Sequence, residues 1–266
     1  MVCDVVMRHC SHSDALNFRG DSMRNVFAGF ALLLVCQVSL FAQKIDDKIS
    51  DRLYESSKVL GELLNAPDGD APKYVLERAE CVAIIPAVKK AAFGFGGQYG
   101  RGVVSCKKDK GKGAWGPPSM FGLSGGSFGL QLGGQSYDVV MMFMTPDSVE
   151  HLLKDKVTLG GDMAAAAGPK GRAISAETTA SMRSEILTYA RSRGLYAGIS
   201  FTGAVLSPDK DAKKNLYGKE VPAKDLLLTG TVDVPAPAQK LIDALTAGAS
   251  TAASTVAAPP EKPSGQ

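Results

Sequence analysis

AAFGFGGQYGRGVVSCKK at residues 91–108 and WGPPSMFGLSGGSFGLQLGGQSYDVVMMFM at residues 115–144 decide how this chain folds. Fourteen of its 29 glycines fall between Gly94 and Gly134, inside text that otherwise reads as strand. Glycine weakens a strand interior; it is expected where a strand bends or bulges, or where another backbone comes close. That density predicts an α+β protein with a curved, glycine-rich antiparallel β-sheet or barrel-like core and flanking helices. No GxxxxGK[ST] follows, and GFGGQYG departs from GxGxxG, so neither phosphate-binding loop is indicated.

Upstream of this block, Ile49, Leu53, Leu60 and Leu64 recur at helical spacing with charged residues between them, which predicts an amphipathic helix from Ile45 to Leu64. It either docks on its own sheet or inserts into a membrane interface. Asp70 reads as the cap of a short second helix, and CVAIIP as a buried strand ending at Pro86. Downstream, Tyr137 to Met144 is a strand. Thr145-Pro146 starts a helix, with Thr145 as its cap. LGGDMAAAAGPKGR is a loop, Ile186 to Leu206 is again strand, Asp209 to Tyr217 is a short helix or turn, and Ala236 to Ala247 is a last helix. The domain reading is residues 1–42 as extension and export signal, 43–235 as the folded domain, and 236–266 as a helix with an Ala/Ser/Thr/Pro-rich tail that lacks a packing pattern.

Met23-Arg24-Asn25 precedes the apolar run VFAGFALLLVCQVSLFA, which ends at Ala42. A basic start, an apolar stretch and small exit residues read as a secretory signal beginning at Met23, so the expected location is periplasmic or secreted. A membrane anchor or a lipidated Cys36 are the other readings of the run. Three basic and three acidic residues precede Gln43, leaving 27 against 24 of the chain's 30 and 27. The mature chain is therefore near neutral, and general nucleic-acid binding is not indicated. Cleavage leaves two cysteines, Cys81 and Cys106, either paired as a disulfide or buried singly as small apolar side chains.

Gly125-Gly126-Ser127-Phe128-Gly129 matches GxSxG, and Asp138, Asp147 and His151 follow. A hydrolase elbow needs strand, sharp turn and helix, whereas strand text lies on both sides of Ser127. A serine hydrolase using Ser127 is thus the distant alternative, and a glycine-bent strand the better account. One histidine and two separated cysteines give no metal-ligand spacing, and no cofactor is implied. The basic residues are more informative. Lys89 and Lys90 precede a glycine-rich strand that carries Arg101, and Lys107, Lys108, Lys110 and Lys112 crowd a turn. Such a turn is either a solvated tip or a contact with anionic headgroups, worth about 1 kcal/mol per basic residue. Trp115 just beyond it is either an interfacial anchor or a core residue.

Four blocks, in order, resemble the SYLF-domain family of lipid- and actin-binding domains: AIIPAVKKAAFGFGGQYGRGVVSCK, WGPPSMFGLSGGSFGLQLGGQSYDVVMMFM, LGGDMAAAAGPKGR and GLYAGISFTGAVLSPDKDAKKNLYG. The resemblance runs from about Ala79 to Gly218. It implies a non-enzymatic domain that binds anionic phospholipid, including phosphoinositides in eukaryotic members, here as an exported, bacterial-type member. Lys89, Lys90 and Arg101 fall at basic positions of the first block. Gln131, Gln135, Asp138, Gly168, Pro169, Gly171, Asn215 and Tyr217 match characteristic positions, read as fold determinants. Actin binding is implied by the resemblance alone and does not suit an exported chain. An envelope structural or protein-binding module is the alternative function.

Overall fold

The computed structural model describes residues 46–67, 69–93, 95–111, 113–128, 133–169, 184–192, 195–198 and 203–256. The expected export signal, residues 1–42 with Met23 and Cys36, lies outside them, as do Lys112, Gln131 and Gly171.

Two helices come first, α1 (Asp47–Leu64) and α2 (Asp70–Arg78). Asp46 caps α1, its carboxylate accepting from the Lys48 amide. Gly69, not Asp70, holds the cap position of α2, and Asp70 is its first residue. Next come β1 (Cys81–Phe93), β2 (Phe95–Cys106), a single helical turn α3 (Lys108–Gly111), β3 (Ser119–Phe128) and β4 (Gly133–Phe143). Helix α4 (Pro146–Leu152) starts in a capping box between Thr145 and Ser148. Strands β5 (Val157–Thr158), β6 (Ala165–Ala167), β7 (Ile186–Ser192), β8 (Leu195–Gly198) and β9 (Ala204–Pro208) follow. The described chain ends with α5 (Lys210–Tyr217), α6 (Ala223–Leu227) and α7 (Gln239–Val256).

All nine strands join one curled sheet in the order β5-β9-β3-β2-β1-β4-β7-β6, with β8 also on β7. The pairs are antiparallel, as expected from the sequence, except that β6 runs parallel to β7. At the Cys81 end, β1 is buried on both faces. Val82 and Ile84 face a layer made of α1, α2, α5 and α7; Cys81, Ala83 and Ile85 face a second core closed by α4 and α6. Residues Cys81 to Ile85 are therefore all apolar, without the usual alternation.

Helix α1 docks on the sheet: Leu53, Leu60 and Leu63 are buried, each worth about 1.5–3 kcal/mol. The last helix, α7, contributes Leu241, Ile242 and Leu245 to the same core.

Pro86 does not end β1, contrary to the sequence expectation. The register with β2 shifts between Ile84 and Lys89, and with β4 between Ile85 and Val88, so a bulge takes the residue that cannot donate. Ala87 sits there at φ 48°, and its amide donates to Asp138 Oδ1 at 2.9 Å. The strand resumes at Val88.

Candidate lipid-binding surface

Beyond the bulge, β1 to β4 run on past the helices, and their register places residues in rows. Lys89 lies between Tyr99 and Ser136, and Lys90 between Gln98 and Gln135. The next row is Gly126, Gly97, Ala91 and Gly134, all exposed. At the last position Phe93 pairs with Phe95, and Phe95 with Phe128. Neighbouring rows point to opposite faces of the sheet, so Lys89 and Lys90 serve different faces. Lys89 is exposed and Lys90 half-buried, and neither has an ion-pair partner among the described residues.

Arg101 sits two rows nearer the core than Tyr99, on the same face, and is better anchored. Its guanidinium donates to the Tyr99 hydroxyl and lies 3.9 Å from Asp209, which also binds Arg52 at 3.0 Å. Tyr99 itself is half exposed. Across β4, Arg191 pairs with Glu62 of α1 and lies 3.6 Å from Asp138. Partners such as Arg52 and Asp209 are 157 residues apart, and no local pattern in the sequence announces them.

The lysine-rich turn lies at the opposite end of the same strands. Lys107 lies eight residue steps beyond Tyr99, just past the end of β2, about 26 Å along extended chain. Lys107 is half-buried. Its Nζ donates to the Glu77 carbonyl at 2.6 Å, reaches the Leu76 carbonyl at 3.4 Å, and stands 5.2 Å from the centre of the Trp115 ring. Burial lowers its pKa, against the raising pull of Glu80 and Glu77. Lys108 lays its stem against Gly230. Lys110 belongs to α3, and Lys112 is outside the described residues. Trp115 is 4% exposed and part of the core. The basic residues that the sequence suggested as one contact thus fall into two groups: Lys89 and Lys90 stand without an ion-pair partner among the described residues, whereas Lys107 at the other end is tied to the carbonyls of α2.

The family-pattern positions make structural contacts. Asp138 holds the bulge, Asn215 accepts from the Asp46 amide at 3.1 Å, and Tyr217 donates to the Pro118 carbonyl at 2.6 Å. Gly168 is buried against Tyr189, whose ring would lie 2.3 Å from an added Cβ; Pro169 is half-buried beside it. Gln135 is exposed beside Lys90.

The serine constellation does not assemble. Strand β3 passes straight through Ser127, whose register partner is Gly96 near the glycine-rich end. His151 belongs to α4, which follows Phe143, the register partner of Cys81 at the other end. No cluster of metal-ligating residues occurs among the described residues, and no described helix is long and apolar enough to cross a membrane. Cys81 and Cys106 face each other across β1 and β2 and are disulfide-bonded.

A family model described as Ysc84, "Las17-binding protein actin regulator", matches residues 124–248. SH3 domain-containing YSC84-like protein 1 of Bos taurus is 31% identical over 207 residues, covering 76% of this chain and 60% of that protein. Protein YSC84 of Saccharomyces cerevisiae is 35% identical over 175 residues, covering 64% of this chain and 36% of its own. LAS seventeen-binding protein 3 of the same yeast is 34% identical over 168 residues, 62% of this chain and 36% of that protein. The chain thus spans about 60% of the mammalian relative and about a third of the yeast ones.

Proposed function

The chain belongs to the Ysc84, or SYLF, domain family, and on that footing we propose that it is a non-enzymatic protein that binds anionic phospholipid surfaces with the glycine-rich end of its sheet. The observation that carries this reading is the pair Lys89–Lys90. Two adjacent lysines emerge on opposite faces of one thin sheet end, free of acidic partners, with Arg101 behind them and a row of phenylalanine positions ahead. Backbone with almost no side chains between the lysines and the strand ends lets a headgroup layer come close. Each lysine contributes about 1 kcal/mol near a charged surface, so electrostatics supplies the encounter.

We further propose that the chain is exported, as the apolar run before Ala42 suggests. The disulfide between the two cysteines that would remain after cleavage suits an oxidising compartment. There, actin is not the partner.

Co-sedimentation with vesicles tests the reading. Phosphatidylglycerol vesicles should retain the protein at low salt and phosphatidylcholine vesicles should not. The variant K89Q/K90Q should bind the anionic vesicles about 30-fold more weakly, the equivalent of about 2 kcal/mol. Undiminished binding by that variant would reassign the surface to a protein partner.

A further inference from the structure

On the side away from α1 and α2, the Cys81 end of the sheet is closed by α4 and α6, seven and five residues long. Between them lies a cleft of about 300 Å³. Pro146 and Val149 of α4 form one wall, and Leu227 with Leu228, the C-terminal cap of α6, the other. Glu150, Lys224 and Thr229 are exposed at its rim, and the half-buried Glu80 and Lys107 line it from the strand ends. Cys81 and Cys106 lie behind these residues, fully buried. Their bond ties the ends of β1 and β2 together, and the Lys107 amide donates to the Glu80 carbonyl at 2.8 Å, so the backbone carrying Glu80 and Lys107 is fixed.

None of the four charged residues around the cleft pairs with another. Lys107 is engaged by the carbonyls of α2. Glu80, Glu150 and Lys224 have no ion-pair partner among the described residues. A half-buried carboxylate such as that of Glu80 gains from a cation that replaces lost water. A ligand bearing both an ammonium and a carboxylate meets both signs here without breaking an internal ion pair, and its apolar part rests on the cleft walls. The volume is about twice the roughly 150 Å³ of a cavity that holds benzene, and it lies at the lower end of small-molecule pockets. That is room for one side chain with its head group. We propose that the cleft between α4 and α6 binds a small zwitterion with an apolar body, an α-amino acid with an aliphatic or aromatic side chain. Its ammonium is taken by the carboxylates of Glu80 and Glu150, and its carboxylate by Lys224.

The walls are set before any ligand arrives. The capping box between Thr145 and Ser148 holds the start of α4, and the amides of Leu228 and Thr229 donate to the Lys224 carbonyl at 3.0 and 3.1 Å. Little ordering is left for binding to do. The cleft is at the Cys81 end of the sheet, opposite to Lys89 and Lys90, so this inference is independent of the lipid reading.

The test is titration calorimetry and thermal unfolding of the intact protein with L-phenylalanine and L-leucine. Three analogues each lack one part: glycine the apolar body, phenethylamine the carboxylate, 3-phenylpropionate the ammonium. The two complete ligands should bind and raise the unfolding midpoint, and each analogue should bind at least about tenfold more weakly. Lys224→Gln and Glu150→Gln, both at exposed positions, should each weaken L-phenylalanine binding about tenfold while leaving the ligand-free midpoint unchanged. Neither heat nor stabilisation with either amino acid overturns the proposal. Phenethylamine or 3-phenylpropionate binding as tightly as L-phenylalanine overturns the zwitterion as the ligand class. Undiminished binding by both folded variants overturns the cleft as the site.

Discussion

Gly102 and Gly97 lie on one strand, five residues apart, and are glycine for opposite reasons. A Cβ on Gly102 would stand 2.1 Å from the Ile84 carbonyl oxygen, and one on Gly100 2.7 Å from Ile85 Cγ2. Past Tyr99 that demand fades, with Gly125, opposite Gln98, the last to feel it: a Cβ there would stand 2.9 Å from Gln98 Nε2 and 3.2 Å from Ala204 Cα. At Gly126 and Gly134 a Cβ would meet nothing within 4 Å, and at Gly97 only a carbonyl at 3.9 Å. None of these glycines has a positive φ. Where the sheet is covered, glycine lets β1 bulge against β2. Where it is uncovered, the hydrogen-bonded ladder continues but packing no longer chooses the residue. The bareness of that end belongs to the surface, not to the fold.

The covered end should respond strongly to change. Replacing both Cys81 and Cys106 by alanine should lower unfolding free energy by about 3.5 kcal/mol in the chain-entropy model, measured by urea denaturation. Next, Gly102→Ala should cost about 2–3 kcal/mol, because backbone stands where its methyl must go. Gly126→Ala and Gly134→Ala should instead leave stability unchanged or raise it by about 0.4–1 kcal/mol, by stiffening the unfolded chain. If all three variants lose stability alike, the two classes of glycine are one.

The lysines sharpen the same contrast at a smaller scale. Lys107→Gln removes a donor from the Glu77 carbonyl and should destabilise by about 1–2 kcal/mol. Lys89→Gln should stay within about 0.5 kcal/mol of the parent and reveal itself only in vesicle binding. The smallest effect concerns Trp115, the chain's one tryptophan. Buried in the core, it should show no shift in emission maximum when anionic vesicles are added. A blue shift would mean that the Cys81 end opens to meet the membrane.

Much of this was legible in the sequence wherever the cause is local. The apolar spacing of α1, the Thr145-Pro146 start of α4 and the Asp209 start of α5 each state their structure within a few residues. The glycine-rich strands were legible as well, and so was the curled sheet. What eluded the sequence depends on distant partners. Pro86 reads as a strand end until Asp138, 51 residues beyond Ala87, supplies the acceptor that holds the bulge. Lys89 and Lys107 look like one basic region because they are near in sequence, but the hairpin sends them to opposite ends. Lys107 looks solvated until the carbonyls of α2 close around it.

The docking of α7 also sets a timetable. Gly248 lies so close to α1 and α2 that a Cβ there would come within 2.4 Å of Leu64 Cδ1 and 2.9 Å of Leu76 Cδ2. The first helices made therefore wait for one of the last to complete their packing. From Leu64 to Gln239 the ribosome must add about 175 residues, which takes about 10–35 s at ordinary elongation rates. Helices this short are marginal alone in water. Throughout that interval the nascent chain cannot close its helical layer, and α1 and α2 stay without the packing that α7 later supplies.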